Sequence, residues 1–131
     1  ITEQHRLTNQ IKFIDHCKDM ALAYQVSDIV ISPSIEPEAF GRVAVEAQSM
    51  EKLIIASNIG GSNETIINEK TGFLFEAGDI NSLSKKIIQA ITMDESSLKL
   101  MGKEGRKNII KKFNVEKMCF STYSEYKRLV N

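Results

Sequence analysis

Two nearly unbroken apolar runs, at residues 28–32 (Asp28-Ile29-Val30-Ile31-Ser32) and 53–57 (Leu53-Ile54-Ile55-Ala56-Ser57), most constrain how this chain can fold. A strand that is apolar on both sides must be covered on both sides, the situation of a strand inside a parallel sheet. Parallel neighbours need a crossover of a dozen or more residues, usually a helix. The stretch between the runs supplies one, since its pattern predicts a helix over 41–50. Further alternation extends the scheme. Gln10-Ile11-Lys12-Phe13-Ile14 predicts a short strand at 10–14, and Met20, Ala23 and Tyr24 predict a helix within 19–27. A turn cluster, Asn58-Ile59-Gly60-Gly61-Ser62-Asn63, leads to a short helix over 64–68, and a fourth strand follows at 72–75. Strands alternating with helices imply an α/β fold, a three-layer domain with a mostly parallel sheet.

The rest of the chain reads as helix. Leu83, Ile87, Ile88 and Ile91 form one apolar stripe behind a cap at Asn81 or Ser82. Leu98, Met101, Gly105 and Ile109 form a second. Val115, Met118, Cys119, Thr122, Tyr126 and Leu129 form a third, capped by Asn114. The expected organisation is one domain over 1–131, with 94–131 as a helical C-terminal extension of it.

Composition narrows the function classes. With 131 residues there is room for one domain with a real core. Lys+Arg and Asp+Glu both number 17, so no global charge favours nucleic acid as a partner. Cys17 and Cys119 stand far apart without metal-ligand spacing, which suits a reducing compartment and a cytoplasmic location. His5 and His16 offer no metal-ligand spacing either, and no metal or other cofactor is expected. No apolar run approaches the ~20 residues that span a bilayer. Lys103, Arg106, Lys107, Lys111 and Lys112 make a basic helix face, read as solvated, with peripheral contact to anionic lipid as the alternative. The chain opens on Ile1 rather than Met, which fits a processed product or a piece of something longer.

The chemistry concentrates in Glu38-Ala39-Phe40-Gly41-Arg42-Val43-Ala44-Val45-Glu46. One carboxylate belongs to the loop after a strand and the other to the following helix. Ligands of open parallel sheets bind beyond the carboxyl ends of the strands, where this segment begins. Ionised carboxylates accept hydrogen bonds from hydroxyls. Between them lies a helix N-terminus, whose free N–H groups and dipole suit a phosphate. Such a site fits a ligand with hydroxyls at both ends and negative charge in its middle, as in a nucleotide-diphosphate sugar. Spacing alone also allows two surface glutamates on an ordinary helix. Gly60-Gly61 before Glu64 reads either as bare backbone lining a ligand cavity or as a tight turn. Neither a GxGxxG fingerprint nor a P-loop is present.

From about Arg6 onward the chain resembles the C-terminal, donor-binding half of a retaining GT-B glycosyltransferase, of the group 1 or glycogen-synthase-like type. The resemblance rests on motifs in order: Asp19-Met20, Tyr24 and Ser27 through Ser34; Glu38 to Glu46, similar to the family's E-x7-E; Gly60-Gly61-Ser62-Asn63-Glu64, similar to GGxxE; and Thr71-Gly72-Phe73-Leu74-Phe75-Glu76-Ala77-Gly78-Asp79. It implies a Rossmann-like domain with a helical tail, and sugar transfer from a nucleotide donor, UDP among the candidates, to a glycan or lipid-linked acceptor of the cell envelope. It implies Glu38 as the catalytic residue touching the donor sugar, and Glu46 on the ribose. It also implies donor contacts at Phe40, Gly41, Arg42, Val43, Asp19, Gly60 and Gly61.

The same resemblance marks departures. The family's Arg and Lys for the leaving diphosphate lie ahead of the position of Arg6, and its N-terminal acceptor domain has no counterpart here. Asp15 and Glu51 stand where glycine is usual, and Leu53 where proline is. A non-catalytic remnant, or a subunit of a split enzyme completed by a separate N-terminal half, is therefore the alternative function. A sheet edge left open in that way would invite a homodimer.

Overall fold

The computed structural model describes residues 3–130; Ile1, Thr2 and Asn131, the limits of the expected 1–131 domain, lie outside the described residues. Six helices and three strands follow in the order α1 (Met20–Val26), β1 (Ile29–Ser32), α2 (Arg42–Ser49), β2 (Leu53–Ser57), α3 (Ser62–Thr65), β3 (Phe73–Phe75), α4 (Ile80–Ile91), α5 (Glu95–Lys112) and α6 (Val115–Val130). The sheet is parallel throughout, in the order β1-β2-β3. Ile29 pairs with Leu53, and Ile55 with Phe73.

Every residue of β2 is buried, as its sequence demands. Its side chains alternate between two cores. Ile54 and Ala56 face Tyr24, Ala44, Ala47 and Ile66 on one side. Leu53 and Ile55 face Phe73, Phe75, Ala90 and Met101 on the other. This is the three-layer α/β arrangement expected. At ~1.5–3 kcal/mol for each large apolar side chain buried, the two clusters are the main source of stability.

The expected strand at 10–14 does not form, so the described residues hold three strands and not four. Alternation supplies a face but no partner: Phe13 and Ile14 are 81% and 71% exposed, and the segment pairs with no strand. The short helix also moves, ending at Thr65 instead of Asn68. Asn68 is drawn away into a bridge with Gly72, and its Oδ1 accepts from the Leu74 N–H at 2.9 Å. The cap of α4 is Asp79, not Asn81 or Ser82; those residues donate their N–H groups to the Asp79 carboxylate. The stripe of α4 narrows to Leu83, Ile87 and Ala90, because Ile88 and Ile91 face solvent.

Asp94 and Asn114 cap α5 and α6 through their side chains. α5 packs into the domain, with Met101, Gly105 and Ile109 buried. α6 buries no residue. Among the described residues no helix is long and apolar enough to cross a membrane.

One departure from the family pattern leaves a mark on the backbone. Glu51, standing for the usual glycine, adopts φ 58°, in the left-handed region that costs a side-chain-bearing residue ~1–2 kcal/mol. α5 presses on the same point: a Cβ on Gly102 would lie 2.1 Å from the Glu51 carbonyl oxygen. Asp15, the other such position, is not among the residues with positive φ.

Two substitutions test this junction by thermal unfolding. Glu51→Gly should stabilise the chain by about 1 kcal/mol, some 3–5 °C in midpoint, since the exposed Glu51–Arg106 pair at 3.9 Å contributes little. Gly102→Ala should destabilise it by about 1–3 kcal/mol through overpacking. A neutral Glu51→Gly would show that the torsion is not strained.

Candidate active site

The candidate site lies beyond the carboxyl ends of β1 and β2. β1 ends at Ser32, and residues 33–41 lead into α2. β2 ends at Ser57, and residues 58–61 lead into α3. The two connections meet backbone to backbone. The Gly61 N–H donates to the Glu38 carbonyl at 2.8 Å. A Cβ on Gly60 would fall 2.4 Å from that carbonyl oxygen, and one on Gly61 2.4 Å from the Phe40 carbonyl carbon. Gly60 also needs its φ of 54°, which glycine adopts freely. In the direction a side chain would take, the glycine pair meets protein backbone, so it is more than a mere turn. It is a clamp on the Glu38 loop.

Gly41 caps α2 with φ 71° and no side-chain hydrogen bond. Its carbonyl accepts from the N–H groups of Ala44 (3.0 Å) and Val45 (3.3 Å). The N–H groups of Arg42 and Val43 have no partner among the described residues. Open amides at a helix start, with the positive end of its dipole behind them, favour an anion.

The two glutamates are held differently. Glu46 accepts at both carboxylate oxygens, from the Tyr24 hydroxyl at 2.9 Å and from Arg42 Nη2 at 3.0 Å. Each oxygen keeps a second lone-pair direction for a ligand hydroxyl. Glu46 also lines a concavity of about 330 Å³ with Met20, Ala21, Tyr24, Arg42, Ser49 and Met50. Glu38 is exposed, accepts from the Ser34 hydroxyl at 2.6 Å, and is not part of that lining. The carboxylates thus share no partner; what links them is the tip of α2 and the glycine clamp.

The other expected contacts fall in different places. Asp19 spends its side chain on capping α1, accepting from the Leu22 N–H at 3.0 Å. Phe40 turns its ring edge-on to Phe113, with centroids 5.7 Å apart, toward the junction of α5 and α6. Arg42 is exposed but paired with Glu46, so its charge is partly spent within the chain. Two residues take roles at the site that spacing does not reveal: Tyr24, which steadies Glu46, and Ser34, which steadies Glu38. Among the described residues no group of three or more His, Cys, Asp or Glu side chains could hold a metal ion.

Burial, reinforced by the hydrogen bond to Glu46, pushes the Tyr24 phenol from its ordinary value near 10 up to about 12. The folded chain therefore binds that proton more tightly than the unfolded chain does. The resulting stability is intact below pH 10 and is lost as pH rises through about 12. Unfolding free energies of the parent and Tyr24→Phe chains should differ most below pH 10 and converge toward pH 12. A difference flat in pH would mean the phenol gains nothing from its setting.

Comparison with known proteins identifies the family. The profile of the family described as Glycosyl transferases group 1 matches residues 1–108. The capsular polysaccharide biosynthesis glycosyltransferase CapM of Staphylococcus aureus is 35% identical over 104 residues, covering 79% of this chain and 27% of that protein. A glycosyltransferase from Rickettsia africae ESF-5 superposes with a TM-score of 0.92 at 37% identity, over 99% of this chain and 35% of that one. Anabaena Alr3699/HepE, in complex with UDP and glucose, superposes at 0.89 with 25% identity, over 97% of this chain and 34% of that one. The chain thus spans about a quarter to a third of the length of each of these three proteins. It belongs to the group 1 glycosyl transferases.

Proposed function

We propose that this chain is the C-terminal, donor-binding half of a retaining GT-B glycosyltransferase that takes a nucleotide-diphosphate sugar. The observation that carries the reading is the tip of α2. Two open amides, at Arg42 and Val43, stand between a loop carboxylate, Glu38, and a helix carboxylate, Glu46. The amides and the helix dipole would take the diphosphate. Glu46, pre-oriented by Tyr24, would accept from ribose hydroxyls. Glu38, the catalytic group of this proposal, would meet the sugar on the clamped loop. The UDP and glucose bound by the Anabaena neighbour favour UDP as the nucleotide. The capsular polysaccharide role of the Staphylococcus relative favours a cell-envelope glycan acceptor; a lipid-linked acceptor and a cytoplasmic location complete the proposal.

Transfer also needs preorganised positive charge where the leaving diphosphate gathers electrons. Arg42 is partly paired with Glu46, so that charge would come from the family's Arg and Lys ahead of the position of Arg6, and the acceptor site from an N-terminal domain. A second reading, a non-catalytic remnant or a split subunit, is favoured by the unfavourable torsion at Glu51. Adding a candidate N-terminal half and assaying sugar transfer separates the two.

Calorimetric titration of the chain with UDP, GDP and ADP tests donor binding. UDP should bind best, and Glu46→Ala should weaken it by about 1.5–3 kcal/mol, roughly 10- to 150-fold, the worth of hydrogen bonds to a charged group. Silence toward all three nucleotides would sink the proposal. An unchanged UDP isotherm in the variant would remove Glu46 from the site.

A further inference from the structure

We infer that Gln48 is a positioning residue for Glu38, acting through Thr65 and Gly61; the inference rests on the donor-binding reading above. Gln48 lies on the inner face of α2, two residues beyond Glu46, and is completely buried. Its side-chain Nε2 donates to the Ala44 carbonyl at 3.1 Å and, across the interface, to the Thr65 carbonyl at 3.2 Å. Asn108 of α5 donates Nδ2 to the same Thr65 carbonyl at 3.1 Å. Two amides from two helices, α2 and α5, thus converge on the last residue of α3.

α3 has four residues, too few to hold a position unaided. Its other end is the glycine turn. Thr65 donates to the Gly61 carbonyl from both its N–H (3.1 Å) and its Oγ1 (2.9 Å). Gly61 in turn donates to the Glu38 carbonyl at 2.8 Å. A continuous path of hydrogen bonds and covalent backbone therefore runs from the Gln48 amide to Glu38. Because Gln48 shares α2 with Glu46, the path sets the catalytic loop and the ribose-facing helix in one register.

A second observation separates this role from packing. The Oε1 of Gln48 is buried without a protein partner. An unpaired buried acceptor is unfavourable, and a methionine of similar length would avoid it. Gly105 of α5 accommodates the side chain already there, since a Cβ on Gly105 would lie 3.1 Å from the Gln48 Cγ. What methionine lacks is the pair of N–H donors. A local cost of this kind is expected where geometry matters more than stability.

Gln48→Met on the whole chain tests the inference. Without any ligand, amide exchange followed by NMR should show the Gly61 N–H exchanging about tenfold faster, with Ile55 in β2 unchanged. The thermal midpoint should stay level or rise. With UDP and UDP-glucose as probes, UDP affinity should stay within about twofold, while the extra affinity conferred by the glucose moiety falls about tenfold. Unchanged Gly61 exchange would overturn the inference and leave Gln48 as packing. Faster exchange at Gly61 and Ile55 alike, with a lower midpoint, would overturn it as a global loss of stability. If the parent chain binds neither probe, the donor reading fails, and the exchange result alone still decides whether Gln48 holds the glycine turn.

Discussion

Two backbones touching without side chains between them set the geometry of this molecule. Where the β1 and β2 connections meet, Gly61 donates to the Glu38 carbonyl, and neither Gly60 nor Gly61 has room for a Cβ. The approach is forced by the sheet. Neighbouring parallel strands run ~4.8 Å apart, so loops leaving the same end of adjacent strands begin side by side. Any side chain at the crossing would push them apart. With glycine there, the Glu38 loop can lie flat on the turn, and Gly41 can open α2 with no capping side chain in the way. The free amides of the tip, and the carboxylates around them, are consequences of that one contact.

The sequence made legible what depends on burial along a single element. The run at 53–57 had to be an interior strand, and the two cores on its two faces are the direct result. The glutamate segment was legible as a motif, because its residues share one loop and one helix. What failed to show was whatever needed a distant partner. Residues 10–14 have the alternation of a strand, yet a strand exists only through its neighbour. Asp79 outcompetes Asn81 and Ser82 as cap because a carboxylate one residue before the helix can take both of their N–H groups. Tyr24 meets Glu46 across 22 residues of sequence, beyond the reach of any local pattern. The glycine pair was visible, but its purpose was not, since the surface it spares turns out to be protein backbone.

The helices after residue 94 show the same rule from the other side. α5 and α6 read alike as amphipathic stripes, and both form. α5 finds a surface, with Gly102 and Gly105 letting it close onto Glu51 and Gln48. α6 leaves Met118, Phe120, Tyr123, Tyr126 and Leu129 exposed, and its helicity rests on local terms: the Asn114 cap and pairs such as Glu125–Arg128. Those terms amount to about 1 kcal/mol for the cap and a few tenths for the pair. Periodicity therefore identifies a helix without saying whether its apolar face is covered.

The candidate site is built where the apolar cores give out. Around α3 the buried Ile66 is joined by buried polar side chains, Gln48, Ser62, Thr65 and Asn108. Most of their capacity is used in fixing backbone, as at the Thr65 and Gly61 carbonyls. Two atoms, Gln48 Oε1 and Ser57 Oγ, are left without a protein partner. At about 1–3 kcal/mol each, that is a sizeable fraction of the ~5–15 kcal/mol by which a domain is stable. An apolar filling would be more stable, but dispersion contacts do not specify direction and would let the glycine turn settle in several ways. Directional hydrogen bonds to chosen carbonyls fix one. The rim around α3 thus gives up part of the stability its volume could supply, and what it gains is a single placement of the loop that carries Glu38.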